Sequence, residues 1–224
     1  MVNPVAVKIC GITTPEAVDA AVAAGAVYGG LVFHPKSPRN LDVAHACELA
    51  RQMRGKLKVV TLLADPSDEQ LAAVAAQVAP DFLQLHGKEA ARRVAYVRAK
   101  FGIPVIKAVA VAEASDLAAA AEYESVADFL MFDAKAPRGA ERPGGHGQAF
   151  DWKILSGRSF NRPWFLAGGL DPDNVARAIE LSGAKMVDVS SGVESAPGEK
   201  DADKIRAFIR AARAAEAALT KVTA

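Results

Sequence analysis

The chain has 224 residues, 51% of them hydrophobic and 24% charged, with 17 glycines and 12 prolines, which excludes disordered, collagen-like and fibrous classes and leaves room for a sizeable core. Lys plus Arg number 27 against 26 for Asp plus Glu, so a formal net charge of +1 offers no broad electrostatic footprint for nucleic acid or an anionic membrane, and any bound anion must be met by a local site. Two cysteines cannot build a disulfide framework, the start MVNPVAVKIC lacks the basic and apolar regions of a secretion signal, and no apolar run approaches the ~20 residues of a membrane helix. Cytoplasmic residence is the resulting expectation. His34, His45, His86 and His146 are scattered without a ligand pattern, so no metal is expected.

Apolar runs of strand length follow one another in chain order: VAVKI (5–9), YGGLVF (28–33), LKVVTLL (57–63), DFLQL (81–85), PVIKAV (104–109), DFLMF (128–132), PWFLA (163–167) and MVDVS (186–190). Amphipathic runs separate them. Eight units in 224 residues leave about 28 each, enough for a strand, a helix and two short loops, and the count suits an α/β fold made of one closed (β/α)8 barrel over residues 1–224. Helix punctuation agrees. Thr14-Pro15 supplies an N-cap and an N1 proline before Val18, Ala21 and Val22, and Gly25 stops the helix. Ser67 with Gln70 reads as a capping box before Leu71, Val74, Ala75 and Val78. Asp171-Pro172 repeats the first device ahead of Val175, Ala178 and Ile179, with Gly183 just past the end. From about Asp201, Ile205, Phe208 and Ile209 predict a last helix that closes the barrel. The segment from Lys135 to Gly147, with Pro137, Gly139, Pro143, Gly144, Gly145 and Gly147, reads either as a lid between strand six and its helix or as a surface insertion.

In a parallel barrel the chemistry gathers where strands end, so the residues after each apolar run are the informative ones. Here they are Cys10-Gly11, His34 with SPRN downstream, His86-Gly87, Asp133, Gly168-Gly169 and Ser190-Ser191-Gly192. Alternation puts Ala6, Lys8 and Cys10 on the inner face of strand one. There Cys10 is either a small hydrophobe or a base or nucleophile whose thiolate the Lys8 ammonium favours; Cys47, inside a helix, reads as packing. Asp133 is either a turn cap or an acid/base group beside a closing loop. The exits at 168–169 and 190–192 are either two tight turns or, as the adjacent seventh and eighth units, a phosphate site of backbone N–H groups. Asp188 shares a face with Ser190, and strand eight closes against strand one, so Asp188 is placed to pair with Lys8, either structurally or to set the field around Cys10.

Six segments in order resemble the phosphoribosylanthranilate isomerase family of tryptophan biosynthesis: KICGIT (8–13), GLVFHPKSPR (30–39), QLHG (84–87), GGHGQAFDW (144–152), LAGGLDPDNV (166–175) and VDVSSGVES (187–195), the last followed by PGEKD. The resemblance implies a barrel of the ribulose-phosphate-binding type. It also implies an Amadori rearrangement of an aminoaldose to a 1-deoxyribulose phosphate, in which Asp133 acts as the acid and Cys10 as the base. It further implies that Arg39 meets the anthranilate carboxylate, that His86, Gln84 and Asp188 face the substrate, and that Gly168, Gly169, Ser190, Ser191 and Gly192 hold the phosphate. Because the iminium intermediate is the electron sink, neither metal nor organic cofactor is implied. The implied partner is a small phosphorylated substrate, and the protein is expected to be a monomer or homodimer. The sequence departs from the family's pattern at His146, where Thr is usual, and at Ala64-Asp65, where Val-Asn is usual. Indole-glycerol-phosphate synthase, an isomerase of histidine biosynthesis and a non-catalytic phosphate-binding barrel are the competing readings; KICGIT argues against the first two, and the joint presence of Cys10 and Asp133 against the third.

Overall fold

The computed structural model describes residues 5–136, 139, 144, 147 and 149–222, the side chains of 216–222 excepted. Eight strands form the barrel, at the apolar runs predicted for them: β1 (Ala6–Cys10), β2 (Tyr28–Phe33), β3 (Lys58–Leu63), β4 (Phe82–Leu85), β5 (Val105–Val111), β6 (Phe129–Ala134), β7 (Trp164–Leu166) and β8 (Met186–Val189). They pair in parallel and in order, and β1 closes on β8 through Ala6↔Met186, Val7↔Val187, Lys8↔Asp188 and Ile9↔Val189. Alternation then assigns the layers. Val7 and Ile9 are buried with the helix-facing core, whereas Val60, Ile106, Met131 and Phe165 fill the barrel interior. Below them, the first residues of β2, β4 and β6 are Tyr28, Phe82 and Phe129. Tyr28 packs edge-on against Phe82 at 5.8 Å and Phe165 at 5.2 Å, and Phe82 against Phe129 at 5.4 Å. This aromatic plug shuts the N-terminal end of the barrel, so a ligand is left the C-terminal mouth.

Seven α-helices surround the described barrel: α1 (Pro15–Ala24), α2 (Val43–Met53), α3 (Asp68–Ala73), α4 (Ala91–Phe101), α5 (Ala118–Tyr123), α6 (Val175–Ser182) and α7 (Ala202–Val222). Thr14 caps α1 by accepting the Ala17 N–H at 3.2 Å, and Gly25 ends it at φ 84°, a left-handed turn that glycine takes without a Cβ penalty. Ser67 caps α3 through the Gln70 N–H, and the chain continues as one π-helical stretch, Val74–Val78. Two expectations are corrected. The sixth unit carries a single 3-10 turn, Trp152–Leu155, in place of a full helix. And α6 starts at Val175 with Asn174 at its N-cap, because Asp171 spends its carboxylate on the N–H groups of Asp173 and Asn174 and so closes a turn ahead of the helix. None of the described helices is long and apolar enough to cross a membrane.

The last helix buries Ile205, Phe208 and Ile209, as the spacing predicts. Phe208→Ala should therefore cost about 3–5 kcal/mol, read as a lower urea midpoint at unchanged slope.

Candidate active site

One hollow opens at the C-terminal mouth. Its walls include Cys10 of β1, Arg39 of the β2 loop, His86 just past β4, Asp133 of β6, Gly168 and Gly169 after β7, and Asp188, Ser190 and Ser191 of and after β8. Nine of the eleven residues expected at the site thus share a wall. Gln84 and Gly192 are not part of it; at Gly192 any side chain would run into the Leu170 carbonyl.

At β1, Lys8 and Asp188 form the expected pair at 2.8 Å, with the Lys8 side chain wholly buried. Burial alone would lower the ammonium's pKa, but the Asp188 carboxylate and the neighbouring Cys10 outweigh it and hold Lys8 above the ordinary lysine value. Cys10 lies one step up the same face. A Cβ on Gly30 would stand 3.1 Å from its sulfur and 3.2 Å from the Lys8 ammonium, so β2 must be bare at that point. Lys8 acts on Cys10 in the expected direction, favouring the thiolate, but it is not the largest influence. Burial pushes the thiol up, Lys8 only opposes that shift, Asp188 adds to it, and the net result lies above the ordinary cysteine value.

Asp133 ends the apolar run of β6 and is not left bare. One carboxylate oxygen accepts the Ala134 N–H at 2.9 Å, and the other meets His86 Nε2 at 2.9 Å. The Gln84 amide nitrogen lies 2.8 Å from His86 Nδ1, an arrangement that makes Nδ1 the acceptor and leaves Nε2–H to donate to Asp133. Alternation along β4 explains why Gln84 and His86 stack on the inner face.

The loop carrying His86 is fastened from behind. Lys107 of β5 donates to the Gly87 carbonyl at 2.7 Å and pairs with Glu89 at 2.7 Å, and the other Glu89 oxygen accepts the N–H groups of Asp65 and Gly87. Asp65, standing where the family usually has Asn, adopts a left-handed backbone (φ 48°) and accepts the Lys88 N–H; both residue types tolerate that conformation. Lys107 and Glu89 were not singled out from the sequence. The available signal was a lysine in the middle of the apolar run PVIKAV, since a charge there must find a partner.

Opposite, Gly168 is required by its surroundings: at φ 88°, a Cβ would collide with the Ala134 nitrogen. Asn174 Nδ2 holds the Gly169 carbonyl at 2.8 Å, which fixes the loop shape. Arg39 is buried, not a solvated loop charge, and grips Glu194 with two bonds, Nε to Oε1 at 2.6 Å and Nη2 to Oε2 at 2.7 Å. Lys200 lies 2.6 Å from the same Oε1 and also donates to the Ser190 carbonyl at 3.0 Å. Glu194 and Lys200 fall within quoted motifs, yet nothing in the spacing assigned them a role. Of the glycine loop, Gly144 and Gly147 line the hollow, whereas Pro137, Pro143, Gly145 and His146 lie outside the described residues. Among the described residues no cluster of three or more His, Cys, Asp or Glu could hold a metal ion.

A carboxyl group on β6 and a thiol on β1 thus face one space, with the two glycine- and serine-rich exits of β7 and β8 between them. That arrangement suits acid and base work on a small anionic substrate. The chain matches the model of N-(5'phosphoribosyl)anthranilate (PRA) isomerase over residues 7–211. It is 56% identical over 210 residues to N-(5'-phosphoribosyl)anthranilate isomerase of Paramagnetospirillum magneticum, covering 94% of this chain and 98% of that one. The crystal structure of phosphoribosyl anthranilate isomerase from Thermotoga maritima superposes with a TM-score of 0.83 at 38% identity, covering 94% of this chain and 99% of that one. A crystal structure of the same enzyme type in complex with reduced 1-(o-carboxyphenylamino)-1-deoxyribulose 5-phosphate gives 0.82 at 35% identity, with the same coverage. The mouth described above and the likeness over nearly the whole chain agree: the chain belongs to the N-(5'-phosphoribosyl)anthranilate isomerase family.

Proposed function

We propose that this isomerase converts N-(5-phosphoribosyl)anthranilate to 1-(2-carboxyphenylamino)-1-deoxyribulose 5-phosphate, the family's step in tryptophan biosynthesis, with Asp133 as acid and Cys10 as base. The observation that carries the reading is that both groups line one hollow, from strands set apart by the two strands of the candidate phosphate site. The backbone N–H groups of the exits at Gly168-Gly169 and Ser190-Ser191 would take the phosphate, and Arg39 the anthranilate carboxylate. The ribose then lies between acid and base. The product-like molecule bound by a relative with 35% identity supports this class of ligand.

The acid step requires Asp133 to enter the turnover protonated: it gives that proton to the furanose oxygen, the C1–oxygen bond breaks, and the anthranilate nitrogen takes up the positive charge as an iminium. Cys10, acting as its thiolate, then removes the C2 proton and becomes the thiol, and the electron pair of that C–H bond moves toward the iminium to give an enolamine. Tautomerisation moves a proton from the C2 hydroxyl to C1 and leaves the ketone. Asp133 ends the turnover as a carboxylate and Cys10 as a thiol, and a proton passed from Cys10 to Asp133 through solvent restores both, so atoms and protons balance; the iminium makes a cofactor unnecessary. His86 holds the Asp133 carboxyl in place, and Asp188 ties Lys8 beneath Cys10.

With freshly generated phosphoribosylanthranilate and the loss of its anthranilate fluorescence as the readout, Asp133→Asn and Cys10→Ser should each lose about 10²-fold or more in kcat. Wild-type turnover in both variants would reject the assignment of acid and base. The field around Cys10 is tested separately, in a Cys47→Ala background, by the pH dependence of thiol alkylation. Asp188 holds the Cys10 pKa up, so Asp188→Asn should shift the alkylation midpoint to lower pH and speed the reaction at any pH below it. An unmoved midpoint would leave the Lys8–Asp188 pair a purely structural role.

A further inference from the structure

Glu194 and Lys200 do not line the hollow, yet they are joined to it through Arg39. Both sit on a small hairpin, β9 (Glu194–Ala196) and β10 (Glu199–Lys200), inserted between β8 and α7. The hairpin is docked onto the rim. Thr13 Oγ1 donates to the Gly198 carbonyl at 3.0 Å, Gly198 passes so near Pro38 that a Cβ would stand 2.7 Å from the Pro38 carbonyl oxygen, and Lys204 Nζ donates to the Glu194 carbonyl at 2.7 Å. Gly11 completes the passage, since any side chain there would strike Cδ of Arg39.

The bonds made to Glu194 use one edge of the Arg39 guanidinium, the Nε–Nη2 edge. The other fork, Nη1 with the second hydrogen of Nη2, is thereby held in a fixed plane, and among the described residues Nη1 has no hydrogen-bond partner. An unrestrained arginine would lose its rotamer freedom only on binding, at the expense of affinity. Here that ordering is complete beforehand. The charges point the same way: Arg39 and Lys200 place two cations on one carboxylate, in a pocket where their side chains are 5% and 0% exposed. The surplus positive charge is matched when a carboxylate docks on the free fork. In the folded protein, burial tends to raise the Glu194 pKa, but Arg39 and Lys200 outweigh it and keep the carboxylate ionised, while Lys200 is lowered by its own burial against the pull of Glu194.

We propose that Glu194 is a positioning residue for recognition of the substrate's aromatic carboxylate: it presents the free fork of Arg39, with Lys200 holding Glu194 from behind. The inference rests on the role given to Arg39 above. Its test uses two reduced product analogues, 1-(2-carboxyphenylamino)- and 1-phenylamino-1-deoxyribulose 5-phosphate, which differ only in the carboxylate, as competitive inhibitors. Wild type should prefer the first by about ten- to a hundredfold, the range for a charged hydrogen-bonded contact. Arg39→Ala should abolish that preference. Glu194→Gln, which turns an NH2 toward the guanidinium, should cut it to about threefold or less while the phenylamino analogue, anchored by its phosphate, binds as before. Parallel weakening of both analogues in Glu194→Gln, or an intact preference there beside its loss in Arg39→Ala, overturns the role of Glu194. An intact preference in Arg39→Ala overturns the reading of Arg39 itself, and the inference with it. Should Glu194→Gln not fold, Glu194→Asp keeps the charge but withdraws the fork by one methylene and is judged by the same selective or parallel loss.

Discussion

A buried ammonium group needs a carboxylate, and this barrel meets that constraint at three points around its mouth. Lys8, Lys107 and Lys200, their side chains 0%, 2% and 0% exposed, pair with Asp188, Glu89 and Glu194 at 2.8, 2.7 and 2.6 Å. Each pair joins two different elements: β1 to β8, β5 to the loop after β4, and the two strands of the hairpin to each other and, through Arg39, to the loop after β2. Breaking one partner would leave an uncompensated charge in a dry place, so the elements are held in register relative to one another. Replacing such pairs with apolar residues is often neutral or stabilising, which makes geometry rather than stability the better account of their presence. Every group given chemical work lies within one or two contacts of one of these pairs: Cys10 above Lys8, His86 on the loop fastened by Lys107, Arg39 on the carboxylate shared with Lys200.

How much of this was legible depends on the periodicity that carries each feature. The strands were legible because a closed parallel barrel buries both faces of each strand, producing short apolar runs with punctuated ends. The site residues are legible for a related reason: the fold directs strand exits to one place, so their positions after the apolar runs set Cys10, Asp133, Gly168 and Ser190 side by side. The pairs behind them were not. Lys107 was hidden on the outward face of β5, where its partner Glu89 comes from another loop, and spacing along one chain says nothing of contacts across two units. The start of α6 was misplaced because Asp171 and Asn174 both spend their side chains on the preceding turn, Asp171 on the N–H groups of Asp173 and Asn174 and Asn174 on the Asp171 N–H, so the helix begins only after both.

The sign of the Cys10 shift was illegible for a deeper reason. A neighbouring ammonium and burial pull a thiol in opposite directions, and which one prevails depends on depth and on what else the ammonium touches. Lys8 is engaged by Asp188, whose negative charge also acts on the sulfur, so the ammonium's help is largely offset and burial prevails.

That balance orders the proposed reaction. Burial disfavours the thiolate that the proposed base step uses, so a positive charge arriving beside the sulfur works in favour of that step. Donation from Asp133 to the ring oxygen generates a cation on the substrate, within the same hollow as the sulfur. The iminium then adds a third positive charge to those of Lys8 and Lys200 around Cys10 and shifts the local field in favour of the thiolate. It also makes the C2 proton acidic. In this scheme the acid step comes first and creates both the need for a base and the field that supplies one, so the base is strongest in the state that uses it. Lys8 and Lys200 favour the thiolate while burial and Asp188 oppose it, so the charge that the substrate brings acts on a sulfur held between opposing influences.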